Sequence, residues 1–127
     1  MKAYDIYKTA ASLLFEKAGE DKAFSEMFPR ILNVVLAEAY PYENSVRRSL
    51  GQKILEKIPT AEGLDDNVDM CDMICRSALP YGVASFFCQD DGDTYLALMY
   101  RERFIDALYD AARCNVCDIE DVYGGAE

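Results

Sequence analysis

Histidine and tryptophan are missing from this sequence of 127 residues, and only four prolines and seven glycines interrupt it. Without His there is no Ser–His or Cys–His nucleophile pair, and no glycine-rich phosphate loop precedes a helix. Only a carboxylate mechanism would remain, and no pair of acids stands out, so the sequence reads as that of a non-enzyme. Pro and Gly are too sparse for a low-complexity linker, and no repeat of solenoid period occurs. No run approaches the roughly eighteen apolar residues of a membrane span. The N-terminal stretch sets Lys2, Asp5 and Lys8 among short apolar clusters. That pattern predicts an amphipathic helix rather than a signal peptide, and a protein made and kept in a cytoplasm.

Basic residues are also scarce. Thirteen Lys and Arg face twenty-three Asp and Glu, for a net charge of −10 and an isoelectric point near 4.4. Nucleic-acid binding draws much of its affinity from bases that release counterions from phosphate. Arg47-Arg48 is the one adjacent basic pair. Duplex DNA is therefore not an expected partner, and anionic membranes are disfavoured for the same reason.

Apolar residues make up 51% of the chain, enough to give one domain a core. Five cysteines, Cys71, Cys75, Cys88, Cys114 and Cys117, are an odd number, and reduced thiols are expected. Cys71 and Cys75 stand one helical turn apart, and CNVC at Cys114 to Cys117 has zinc-knuckle spacing. The two pairs are distant in sequence, His is lacking, and Cys71 and Cys75 fall on the apolar side of a helical pattern. They read as small hydrophobes, with no metal, disulfide or cofactor required. A redox CxxC opens a helix in an α/β unit, which is not the pattern here. Asp90, Asp91 and Asp93 resemble a fragment of a calcium loop without its final bidentate Glu. Asp65, Asp66, Asp69 and Asp72 lack the His ligands of a carboxylate-metal site and read as a charged face.

The apolar residues recur at helical spacing and nowhere alternate, which predicts an all-α fold: a small single-domain bundle of four to six helices. Ala3, Ile6, Tyr7, Ala10, Leu13 and Leu14 form a first stripe, with Gly19 placed as its cap. Phe28, Ile31, Leu32, Val35, Leu36 and Ala39 form a second. Pro29 is expected near the start of that helix, and Pro41 is expected to stop or kink it. A short third helix from Asn44 or Ser45 would use Val46, Leu50, Ile54 and Leu55, weakened by Gly51 and ended by Pro59. Thr60 to Asp66 reads as loop. Asn67 to Leu79 returns to helical spacing and breaks at Pro80, which can open the next helix. Gly92 closes that helix and Asp93 caps the last, whose apolar face carries Ala97, Tyr100, Phe104, Ile105, Leu108, Ala111 and Ala112. The helical domain spans 1–113, and 114–127 reads as a mobile C-terminal tail or assembly arm. The nine tyrosines and six phenylalanines exceed the needs of the core and suit a contact surface. Tyr7 and Tyr100 read as lining helix seams. Tyr81 in the body and Ile119, Val122 and Tyr123 in the tail are the candidate interface residues.

The stretch LPYGVASFFCQDDGDTYLALMYRERFIDAL, from Leu79, resembles head–tail connector proteins of tailed bacteriophages. A Leu-Pro-Tyr-Gly segment opens an Ala-containing helix, and an acidic turn leads into a helix carrying Tyr100, Arg101, Arg103 and Phe104. The ending DIEDVYGG, from Asp118 to Gly125, is similar to the tail of such proteins. The resemblance implies a phage or prophage virion protein, present in the bacterial cytoplasm before assembly. Its expected partners are the portal protein, tail-side connector proteins and further copies of itself, although the isolated chain can be a monomer. A ring of such subunits would extend the DNA channel, and an acidic lining would repel the cargo. The competing expectations are an acidic DNA mimic that blocks a DNA-binding host protein, and a cytoplasmic enzyme with clustered carboxylates of shifted pKa.

Overall fold

The computed structural model describes residues 1–14 and 22–126, the side chains of 114–126 excepted. Five helices follow one another: α1 (Ala3–Leu13), α2 (Lys22–Ser49), α3 (Asp72–Ser77), α4 (Leu79–Asp90) and α5 (Thr94–Ala126). The fold is all-α, with one isolated antiparallel bridge, Lys2 to Asn67, as the only strand-like pairing among the described residues. Backbone α5 runs on past Arg113, the boundary at which the sequence suggests a tail. The side chains of Ile119, Val122 and Tyr123 lie outside the described residues, as does Gly19, the expected cap of α1.

Helix α4 is the axle of the domain and packs on each of the other four helices. Seven of its twelve residues are buried: Leu79, Pro80, Gly82, Val83, Ala84, Ser85 and Cys88. Gly82 explains how close the neighbours come. A Cβ there would lie 2.7 Å from Val35 Cγ1 on α2 and 3.0 Å from the Phe104 ring on α5, so no side chain fits. Pro80 sits in the first turn of α4, where its missing N–H leaves no partner stranded. The preceding helix is shorter than its pattern suggests. It begins at Asp72 rather than Asn67, because the chain from Met1 to Tyr4 pairs with residues 64–68 through Ala3 N–H to Asp66 O, Tyr4 N–H to Leu64 O and Val68 N–H to Met1 O.

The turn between α4 and α5 forms as its residues suggest. Gly92 adopts φ +83°. Asp93 N–H donates to Cys88 O and Gly92 N–H to Gln89 O, the paired bonds of a Schellman ending. The Asp93 carboxylate then accepts the Leu96 N–H at 3.1 Å and caps α5. Ala97, Phe104, Leu108 and Ala111 are buried on α5. The predicted core of α1 is likewise buried at Ala3, Ile6, Tyr7 and Ala10.

Helix α2 departs most from expectation. It is one helix of 28 residues that contains both Pro29 and Pro41 in its interior. An interior proline costs about 3 kcal/mol, but about six turns of buried stripe from Phe24 through Leu32, Leu36 and Ala39 to Val46 outweigh it. Pro41 and Ala37, whose carbonyl loses its partner, are both exposed, so water can satisfy that carbonyl. The expected third helix does not form. Gly51, at φ +71°, ends α2 instead. Gln52 N–H donates to Arg47 O and Gly51 N–H to Arg48 O, again the Schellman pair. Residues 50–71 then run back along α2 as an irregular strap.

Two asparagines hold that strap. The Asn44 amide accepts the Leu55 N–H at 2.8 Å and donates to the Leu55 carbonyl at 3.1 Å. Tyr40 donates its hydroxyl to the same carbonyl at 2.7 Å. One stretch further on, Asn33 repeats the arrangement with Ala61, at 2.7 Å and 3.0 Å. Positions 33 and 44 are three helical turns apart and therefore share a face.

Candidate assembly surface

The described domain leaves an apolar face open on α5 and α2. Tyr95 and Leu98 are 76% and 60% exposed, and Met99 and Tyr109 continue the same side of α5. Val34 and Met27 face outward on α2. Between these helices Val34, Phe86, Ala97 and Leu98 line a groove of 440 Å³, crossed by the ion pair of Arg101 with Glu38. A second, shallower depression of 420 Å³ adjoins it, between Met27 and Ile31 on α2 and Phe86, Phe87 and Asp90 on α4. Beyond that lies a 560 Å³ cleft where Asp90, Asp91 and Asp93 rim a floor of Phe24, Met27, Phe87 and Leu96. The middle depression shares Phe86 and Gln89 with the groove and Met27, Phe87 and Asp90 with the cleft, so the three adjoin in a row, a largely apolar channel with acid at one end.

Tyr81 is half-buried. Its ring lies 5.7 Å from that of Tyr100, and the Arg103 guanidinium stands 5.6 Å over it. Tyr100 donates its hydroxyl to the Leu13 carbonyl at 2.8 Å, a seam role as expected. Tyr7 is buried and stacks on Phe24. The structure thus puts Tyr81 beside α5, while the three tail candidates cannot be placed with it. Sequence reading passed over Tyr95, Leu98, Met99 and Val34. Their only signal is a second set of apolar residues on α2 and α5, outside the main stripes.

The polar groups that looked chemical resolve into structural ties. Glu43 is 1% exposed and accepts the Cys71 N–H at 2.7 Å, just ahead of α3. Arg47 Nε stands 3.9 Å from the same carboxylate, and its outer nitrogen bonds Asp69 at 3.1 Å. Burial pushes the Glu43 carboxyl above its usual range, against the opposing pull of Cys71 N–H and Arg47. This group ties α2 to the strap and to α3.

The Cys75 thiol is buried and contacts the Met70 carbonyl at 3.5 Å. Burial pushes it up to about 12 and also raises Cys71 and Cys88, so these sulfurs stay protonated and poorly nucleophilic. Cys114 and Cys117 lie outside the described side chains. Among the described residues no three His, Cys, Asp or Glu come together as metal ligands. Asp65, Asp66, Asp69 and Asp72 are all exposed. Asp66 accepts backbone N–H groups from Glu62 and Gly63, and Asp72 pairs loosely with Arg76 at 3.9 Å. No helix among the described residues is long and apolar enough to cross a membrane. No known family, no curated protein and no solved structure matches the chain.

Proposed function

We propose that the chain is a structural subunit of a phage or prophage virion, a head–tail connector that assembles as a homo-oligomeric ring on the portal and lengthens the DNA channel. The observation that carries this reading is the open apolar channel along α2, α4 and α5, with Tyr95 and Leu98 standing out into solvent beside it. Such a surface on a domain whose core is already closed suits burial against another protein. The resemblance from Leu79 to Gly125 supplies the kind of assembly. Its Leu-Pro-Tyr-Gly segment coincides with the start of the central helix, where Gly82 admits no side chain. The charge of −10 suits a conduit that must not hold its cargo.

The segment from Asp118 to Gly125, with Ile119, Val122 and Tyr123, docks in this reading on an adjacent subunit or the portal. The test mixes the protein with its own phage's portal ring and repeats the mixture with a chain ending at Cys117. Stable recruitment of the full chain and loss with the shortened one are expected. Failure of the full chain to join overturns the connector role, and a DNA mimic, working as monomer or dimer, would give that result. Equal recruitment of the shortened chain overturns the tail mechanism alone.

A further inference from the structure

The strap carries a feature that the domain itself does not use. Leu50, Ile54 and Ile58 are all substantially exposed, and Lys53 and Lys57 stand between them, exposed as well. Single exposed apolar residues are ordinary, but three within nine residues of one loop are more than scattered exposure. Here the backbone is fixed by Asn44 and Tyr40 at Leu55 and by Asn33 at Ala61, so the outward residues are held in place. A preordered loop with apolar tips loses little conformational freedom on binding.

The opposite flank of the same helix offers the matching shape. At 100° per residue, Asn33, Tyr40 and Asn44 fall together on α2, and Met27, Ile31, Val34 and Glu38 fall together about 130° away. The core stripe occupies the remaining third. The second flank is one wall of the channel between α2 and α4, whose far end is rimmed by Asp90, Asp91 and Asp93. All three of those carboxylates are exposed. Glu56 stands 3.8 Å from Lys53, so the loop keeps one net positive charge, and with its apolar tips it answers an acidic, apolar channel on the other flank. A single copy cannot bring the two together, because its own helix lies between them.

We propose that the 50–58 loop of one copy seats in the α2–α4 channel of the next, with Ile54 and Ile58 against Met27, Ile31, Phe86 and Phe87, and Lys53 and Lys57 facing the Asp90–Asp93 turn. The occupant is a second copy of this chain. The contact is heterologous, each copy using two different flanks, and its repetition generates a ring where the rotation closes and a filament where it does not. It rests on the self-assembly reading and specifies the contact that reading needs.

The experiment places a photo-reactive benzophenone residue at Ile54 in the full chain. Cross-links are mapped in concentrated solution and on the portal ring, with portal recruitment measured in the same sample. An intermolecular adduct on the Met27–Ile31 or Phe86–Asp91 peptide is expected. Recruitment with adducts elsewhere overturns this contact and leaves the connector role standing. The expected adduct without recruitment supports the contact and removes the connector role. Absence of both removes both. A charge exchange gives a second arm. Lys53→Glu with Lys57→Glu, or Asp90→Lys with Asp91→Lys, should each reduce adduct yield at least tenfold, and mixing the two variants should restore it. Unchanged yield in the single variants, or no restoration in the mixture, overturns the electrostatic match. All four residues are exposed, so folding is not at issue.

Discussion

The central helix and the strap that runs along α2 are both fixed in place, by opposite means. Helix α4 is held by shape: a glycine at its waist, Val35 and Phe104 against it, and few polar atoms. The first part of the strap is held by hydrogen bonds from Asn33, Tyr40 and Asn44, with Leu50, Ile54 and Ile58 turned outward, while Ala61, Val68 and Met70 further along are buried. Shape fixes an element everywhere along its length. Polar clips at Leu55 and Ala61 fix the backbone of its first part and leave Leu50, Ile54 and Ile58 open to a partner. The difference explains why the core is closed while the strap and the α2–α4 channel are not.

The largest effects should come from the packed region. Leu108→Ala should cost about 2–5 kcal/mol as a core truncation, read from the denaturant midpoint. Gly82→Ala should cost about 1–3 kcal/mol by overpacking, and a neutral result there would mean that Val35 and Phe104 can step aside. Asn44→Ala should follow, at about 1–3 kcal/mol for the Leu55 amide left without its partner. Amide exchange would sharpen the contrast. Leu55 should lose protection in that variant while α4 keeps its own, and equal loss in both would erase the distinction drawn above.

The smallest effect concerns Glu43. Its carboxyl is raised in the fold by burial, so the folded chain holds that proton more tightly than the unfolded one. The associated stability is present below the unfolded pKa and is lost as pH rises through the folded value. Glu43→Gln removes this titration. The difference in stability between wild type and variant should therefore move in favour of wild type on acidification through that window. A constant difference across it would show that Glu43 titrates as an ordinary glutamate.

Much of the fold was legible because periodicity reports burial directly. The stripes of α1 and α5, the Pro80 start and the Gly92-Asp93 junction all appear where their residues suggest. Local signals misled where tertiary packing overrode them. Pro41 reads as a stop, but the stripe on α2 continues beneath it. Leu50, Ile54 and Leu55 have helical spacing, yet Gly51 takes positive φ and closes α2 first. The asparagine clips had no signature beyond two amides eleven residues apart, whose partners lie 11 and 28 positions away. The candidate surface was least legible. Tyr95, Leu98 and Val34 differ from core residues only in which side of a helix they occupy, and that depends on how the helices pack.

Gly82 has a consequence for motion. Packed helices commonly accommodate change by sliding a little along one another. Helix α4 meets Val35 and Phe104 at the single position where it has no side chain, and one turn in either direction would present Ala78 or Phe86 to those same contacts. The axle is therefore locked in register. Movement within a larger assembly must pass through the domain as a rigid rotation, with whatever yielding there is confined to the strap and its clips.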